Sequence, residues 1–211
     1  MSPMLMTEVL VNDMEKTILK VQEEHRSILA VLSGLRELAH MALDAAVRPD
    51  FRVLHAMLHY IDAYPEKLHH PKEEAFLFKV LLAREPYVSA LVDELRRQHE
   101  QGGRLMRELQ RSVIVFEVEW PLGAAAFLAA VNDYADFHWG HMRKEEKELL
   151  PLCERLFTEA DWHAAAQAFG ANEDPLGDIR ERDFSRLFTR IATLAPAPVG
   201  LGAPWTRLPA G

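Results

Sequence analysis

The stretch that decides the fold is Phe137-His-Trp-Gly-His-Met-Arg-Lys-Glu-Glu146. Within it, His141 and Glu145 stand four residues apart, and residues at this spacing share one face of an α-helix. The same order of residue types occurs earlier in the chain, since His69-x-x-Lys-Glu-Glu-x-x-Leu77 matches His141-x-x-Lys-Glu-Glu-x-x-Leu149. This internal repeat indicates two helices that each offer an imidazole and a carboxylate to one point.

Four predicted helices contain and surround these motifs. Their apolar residues and histidines recur at alternating steps of three and four, which is typical of a helix with one buried face. The predicted helices cover about residues 12–46, 50–84, 86–113 and 121–157. Four long amphipathic helices with short connections predict an all-α, up-down four-helix bundle. Pro65 and Pro71 predict a kink or bulge in the second helix, and Val113–Val118 is the only short strand candidate.

The last quarter of the chain predicts two short helices and a tail. Thr158 and Asp161 form a start similar to a capping box, and Gly170 is placed to close the helix that follows. Residues 178–192 predict a further short helix. The Pro/Gly/Ala-rich tail from Leu194 is expected to be extended, and ordered only if it packs on the bundle. We therefore divide the chain into residues 1–176, the bundle with a short capping helix, and residues 177–211, a short helix and tail.

Composition excludes several classes of protein. The 211 residues are 49% hydrophobic and 27% charged, which is enough to bury a core without disulfides. The net charge of −8, with no strongly basic stretch, argues against nucleic acid or an anionic membrane as a partner. No apolar run approaches the ~18–20 residues of a membrane helix, and Met1–Glu15 lacks the order of a signal peptide. A single cysteine, Cys153, excludes a disulfide framework and a CxxC zinc site. We expect a cytoplasmic protein.

Histidine and glutamate side chains meet where the predicted helices bury their apolar faces. Packing the two halves of the repeat together brings four histidines and two glutamates to the bundle centre: His25, His69, His99, His141, Glu73 and Glu145. Buried polar groups cost ~1–3 kcal/mol each when left unsatisfied, and a shared metal centre satisfies them together. Because a carboxylate can bridge two cations, the count suits a dinuclear site. Mixed imidazole and carboxylate ligands favour iron or manganese over structural zinc.

Two further histidines are candidate ligands with open alternatives. His138 lies one turn before His141, as a ligand or as a side chain that orients a ligand. His70 precedes Pro71, which biases its backbone away from the α conformation. A local distortion there would turn both His69 and His70 inward, and without one His70 would lie outside the centre or at the surface. The pair His55 and His59 is expected to face solvent or to lie behind the ligands.

The sequence resembles bacterial hemerythrin-like proteins, the HHE cation-binding family, over about residues 22–177. The segments that carry the resemblance are Glu24-His25, Tyr64–Glu74, Gln98–Glu100, Phe137–Glu146 and Asn172–Leu176. The resemblance implies a non-haem, carboxylate-bridged centre of two iron ions that binds or reacts with O₂ or related small oxidants. It implies that Glu73 and Glu145 are the bridges and that the iron ligands include four histidines: His25, His69, His99 and His141.

The chain departs from the oxygen-carrying hemerythrins, which place two histidines four apart on the third helix. Here His99 is followed four residues later by Gly103. The last motif has Glu145 at a spacing of four, where theirs has aspartate at five. His70 and His138 are candidate replacements, so the predicted metal ligands are His25, His69, His70, Glu73, His99, His138, His141 and Glu145. These departures leave sensing, storage and redox turnover open beside reversible oxygen carriage.

Three functional hypotheses follow. The first is a protein with two iron ions, ahead of manganese or zinc, that binds O₂ or another small diatomic or peroxide ligand, or senses oxygen, nitric oxide or iron. The second is an oxidase- or peroxidase-type enzyme that uses an external reductant, because the sequence has no NAD, flavin or haem motif. The third is a structural or interaction bundle without metal, which would make the repeat an accident. A redox or signalling protein partner stays unidentified.

Overall fold

The structure is a computed structural model that describes residues 3–44, 47–171 and 181–207. Within these residues it contains six helices: α1 (Pro3–Met41), α2 (residues 51–84), α3 (Ser89–Glu119), α4 (residues 124–156), α5 (Glu159–Ala171) and α6 (Glu181–Leu194). A 3-10 turn, Pro86–Val88, leads into α3, and two short strands are described below. The predicted all-α bundle is confirmed.

Two apolar clusters fill the bundle, one on each side of a polar layer. This layer consists of buried histidines and glutamates, among them His69, Glu73 and Glu145. The first cluster includes Ile28, Leu35, Leu54, Met106 and Phe127. The second includes Val21, Leu77, Leu95, Leu149 and Phe169. Along α1 and α3 the chain passes from the second cluster to the first, and along α2 and α4 it passes from the first to the second. Consecutive long helices therefore run antiparallel, and each crosses the polar layer between the two clusters.

Wide π turns interrupt α2 and α4 beside this layer. They cover Asp62–His69, Glu74–Phe78 and Glu145–Leu149. In these turns a backbone N–H bonds to the carbonyl five residues back, as His70 does to Pro65 and Leu150 does to Glu145. Pro71 and Pro151 have no N–H to make the ordinary bond four residues back, so a wider turn fits there. The bulge predicted near Pro65 and Pro71 is confirmed, whereas the turn at Glu145 was not predicted.

The π turns change which side chains face the bundle centre. Consecutive residues of a regular α-helix point about 100° apart. Despite this, the neighbours His69 and His70 are both buried, with only 1% and 4% of their surface exposed. The distortion at the prolines of α2 therefore brings both imidazoles inward.

Some local predictions were wrong. Val113–Val118 lies inside α3 and is not a strand, and its buried residues Val113 and Phe116 keep the spacing of a helix face. Gly170 does not end α5, which continues to Ala171. The start of α5 does match its prediction, since the Thr158 N–H donates to Asp161 Oδ2 at 2.8 Å and the Asp161 N–H donates to Thr158 Oγ1 at 3.4 Å.

The C-terminal tail packs on the bundle through a pairing that was not predicted. Strand β1 (Val47–Arg48) and strand β2 (Thr206–Arg207) pair antiparallel, and Trp205 is buried beside them. The predicted boundary at residue 176 and the segment Asn172–Leu176 lie outside the described residues. In the part of the chain that is described, none of the helices combines the length and apolarity needed to cross a lipid bilayer.

Candidate metal centre

Two groups of candidate ligands lie in the polar layer. Group A consists of His25, His69, Glu73 and Glu145, and group B consists of His70, Glu73, His99 and His141. Within each group, one possible ligand atom from every residue lies within 4.8 Å of the others. Glu73 belongs to both groups, so the two positions adjoin. All four long helices contribute, and seven of the eight residues predicted as ligands from the sequence are brought together.

The two glutamates divide their oxygens between the groups. Glu73 Oε1 lies 3.3 Å from His69 Nε2 in group A, while Glu73 Oε2 lies 3.6 Å from His99 Nε2 in group B. Glu145 Oε2 lies 3.5 Å from His25 Nε2, while Glu145 Oε1 lies 3.3 Å from His141 Nε2. Both carboxylates thus present one oxygen to each position, as a bridging ligand requires.

Most of the atoms that face the centre lack hydrogen-bond partners, the exceptions being His25 Nε2 and His69 Nε2, which lie 3.0 Å from each other. Across the described ranges, the buried side-chain atoms without one include both carboxylate oxygens of Glu73 and of Glu145 and the Nε2 atoms of His99 and His141. Leaving such groups unsatisfied costs about 1–3 kcal/mol each. Carboxylate oxygens and imidazole nitrogens are the ligand types that iron and manganese accept. The residues therefore fit a pair of bound cations.

In four of the histidines, Nδ1, the ring nitrogen that faces away from the centre, is hydrogen-bonded to a side chain outside the two ligand groups. The Nδ1–H groups donate as follows: His25 to Glu146 at 2.9 Å, His69 to Glu24 at 2.7 Å, His99 to Glu74 at 3.3 Å and His141 to Gln98 at 2.9 Å. A proton on Nδ1 leaves the lone pair of Nε2 directed at the centre. These partners were not predicted, although each stands beside a predicted ligand in the sequence: Glu24, Gln98, Glu74 and Glu146.

Lys72 extends the chain of contacts behind His69. Its Nζ lies 3.3 Å from Glu24 Oε1 and 5.3 Å from the centre of the Phe169 ring in α5. Lys72 is itself buried, with 8% of its surface exposed. The short helix α5 is thereby connected, through Lys72 and Glu24, to the imidazole of His69.

Without a cation, the centre takes up protons in its place. Burial acts to raise the pKa of Glu73, but the imidazoles of His69, His25 and His99 hold it well below its usual range. Burial and the charge of Glu73 raise the pKa of Glu145 to about 7. Burial acts to lower the pKa of His69, yet Glu73 and Glu24 raise it to about 10. The concentration of buried carboxylate charge therefore attracts positive charge.

The imidazoles of group B differ from one another. Burial acts to lower the pKa of His99, but the neighbouring carboxylates of Glu145, Glu73 and Glu74 raise it to about 11. Burial lowers the pKa of His70 to about 4, against the effect of Glu66. Burial and the neighbouring imidazoles hold the pKa of His141 well below its usual range. These shifts favour the neutral form of His70 and His141, the form in which imidazole binds metal.

His138 lies next to group B but outside it. Its Nε2 is 3.4 Å from Oε1 of Glu66, a residue that the sequence analysis did not single out. Glu66 stands one turn before His70 on α2, and that spacing was the available signal. The ring centres of His138 and His70 are 5.8 Å apart. His55 and His59 are exposed, as predicted.

Comparison with known proteins assigns the family. A search of curated proteins found no match to this chain. The sequence model of the family described as hemerythrin HHE cation binding domain matches residues 17–153. The match covers more than half of the chain, most of the four long helices and every candidate ligand from His25 to Glu145. The chain therefore belongs to the hemerythrin HHE cation-binding domain family.

Proposed function

We propose that this protein is a non-haem di-iron protein that binds or senses O₂ or a related small oxidant. The observation that carries the proposal is that Glu73 belongs to both ligand groups, while Glu145 also turns one oxygen to each group. His25 and His69 would hold one iron, and His70, His99 and His141 the other. Glu73 and Glu145 would bridge the two.

The unequal histidine count supports one open coordination position. Group A supplies two imidazoles, whereas group B supplies three. Because a metal that binds an external ligand must keep a position free of protein ligands, we assign the small ligand to the iron of group A. When bound, a ferrous pair supplies the electrons that a small oxidant takes up.

The remaining residues of the site would control its surroundings. The two apolar clusters border the polar layer on both sides and limit the access of water to it. The acceptors behind the histidines fix the orientation of each ring, and Lys72 fixes Glu24 in turn. Donors held in fixed orientations are what metal binding and small-ligand selectivity require.

The reaction of the ferrous protein with small oxidants tests this function. We expect the anaerobic iron-loaded protein to change its ultraviolet–visible spectrum on addition of O₂ or nitric oxide and to recover when the gas is removed. Protein loaded with Zn²⁺, which has no redox chemistry, is the matched control and should not respond. Continuous consumption of O₂ or peroxide with an external reductant would instead favour the enzyme hypothesis. An iron-loaded protein that responds to none of these ligands would contradict both.

A further inference from the structure

Glu66 lies between the outside of the bundle and the interior of the polar layer. An opening of about 600 Å³ between α2 and α3 is lined by Glu66, His70, Glu74, Arg96, His99 and Glu100, among others. Glu66 belongs to this lining and also contacts His138, which is buried behind it. The carboxylate is therefore placed to meet an incoming ion before that ion reaches the centre.

The opening has a net negative charge. Among these lining residues, Arg96 carries the guanidinium group. Its Nε–H donates to Glu74 Oε2 at 2.9 Å. Of the other charged groups in the lining, the carboxylates of Glu66 and Glu100 outnumber the imidazole of His99, the pKa of which is raised to about 11. A concave surface lined by one sign of charge concentrates counter-ions, so this opening favours cations.

His138 adds an unpartnered nitrogen behind Glu66. In the part of the chain that the structure describes, its Nε2 is buried and has no hydrogen-bond partner. The nitrogen lies 3.4 Å from Glu66 Oε1, while the hydroxyl of Tyr134 donates to the same oxygen at 2.9 Å. Tyr134 thus orients a carboxylate that faces an imidazole, and both groups are of the type that binds ferrous iron.

A glycine keeps the space between these two groups open. A Cβ atom at Gly102 of α3 would lie 3.1 Å from Glu66 Oε1 and 3.2 Å from His138 Nε2. A methyl group would therefore enter the gap that an ion shared by both groups must occupy. At the next residue, Gly103, a Cβ atom would lie at ordinary contact distances, 3.6 Å from Arg107 Nη1 and 3.8 Å from the outer oxygen of Glu66, Oε2, and so outside the gap.

We propose that Glu66 and His138 form a third, weak cation site that receives Fe²⁺ from the opening. Only two protein side chains bind the ion, so water fills its other positions and the ion exchanges readily. From there the ion passes to group B, because the second oxygen of Glu66 lies 3.6 Å from Nδ1 of His70. The inference rests on the proposed di-iron centre, which is the destination of the ion.

The test is an anaerobic titration of the metal-free protein with Co²⁺, followed by calorimetry and visible absorption. We expect two tightly bound equivalents per chain and a third that binds at least about tenfold more weakly. Gly102→Ala and Glu66→Gln should lose the third equivalent and keep the first two. In stopped-flow mixing with Fe²⁺, both variants should fill the centre at least about tenfold more slowly. Gly103→Ala is the matched control and should behave like the wild type.

The possible outcomes separate this site from the di-iron centre. Wild-type protein that binds two equivalents and no third overturns the third site and leaves the di-iron proposal standing. Variants that keep the third equivalent and the wild-type loading rate overturn it as well. Wild-type protein that binds no tight pair contradicts the di-iron proposal itself. Circular dichroism of Gly102→Ala and Glu66→Gln shows whether both remain folded, and loss of the third equivalent in either folded variant supports the proposal.

Discussion

Replacing Glu73 by alanine is expected to remove most of the bound iron from the protein. Glu73 is fully buried and belongs to both ligand groups, so its loss takes one ligand from each metal position. We expect the affinity for metal to fall by more than the roughly 10–100-fold that losing an outer partner costs. The measurement is the iron content per chain after loading and desalting. Glu145→Ala should have a similar effect, because its oxygens also face both groups.

Two exposed histidines provide the controls. His55 and His59 lie on α2, the helix that carries Glu73, but they face outward. His55→Ala and His59→Ala should keep the wild-type iron content. Equal iron content in all four variants would mean that the inward faces of the helices have been assigned incorrectly.

The iron-free protein is expected to melt at a lower temperature than the iron-loaded protein. Without metal, the carboxylates of Glu73 and Glu145 are buried side by side, and the charge of Glu73 helps raise the pKa of Glu145 to about 7. Metal that binds only the folded state stabilises it by roughly 2.7 kcal/mol when free metal is 100 times Kd. For a domain of this size this corresponds to a rise in Tm of about 5–10 °C.

The double variant Glu73→Ala, Glu145→Ala checks the cause of this difference. It removes the repulsion from the iron-free state and the bridges from the loaded state, so the gap between the two melting temperatures should shrink. Thermal unfolding of both proteins with and without iron, under anaerobic conditions, gives the four values needed. If iron leaves the wild-type midpoint unchanged, the cluster is not a coupled buried site, and the structural-bundle hypothesis is preferred.

Periodicity predicted the long helices because each one buries a single face. The structure buries two of the predicted faces as expected. On α1 the buried face includes Val21, His25 and Ile28, and on α4 it includes Tyr134, His138 and His141. Features that depend on contacts distant in the chain were not predicted. Strand β1 forms only because β2, about 160 residues later, pairs with it. Val113–Val118 has strand propensity, but tertiary packing in α3 overrides it.

The candidate ligands were easier to predict than the residues that contact them from outside. The repeat of His-x-x-x-Glu placed Glu73 and Glu145 on inward faces, and Pro71 signalled the distortion that turns His70 inward. The contact of His141 with Gln98 joins two different helices, and its existence depends on their relative register. Glu66 stands one turn before His70, but its partners Tyr134 and His138 lie on α4 and were not predicted to meet it. Helical periodicity carries no information about such register.

Mössbauer spectroscopy of protein loaded with ⁵⁷Fe shows directly whether two iron positions share Glu73. We expect two irons per chain that, when oxidised, form one magnetically coupled ferric pair without an EPR signal. In Glu73→Ala, any iron that remains should be present as isolated ions and not as a coupled pair. A wild-type protein that holds a single iron per chain, or two irons that behave as magnetically isolated ferric ions, would contradict the sharing of Glu73.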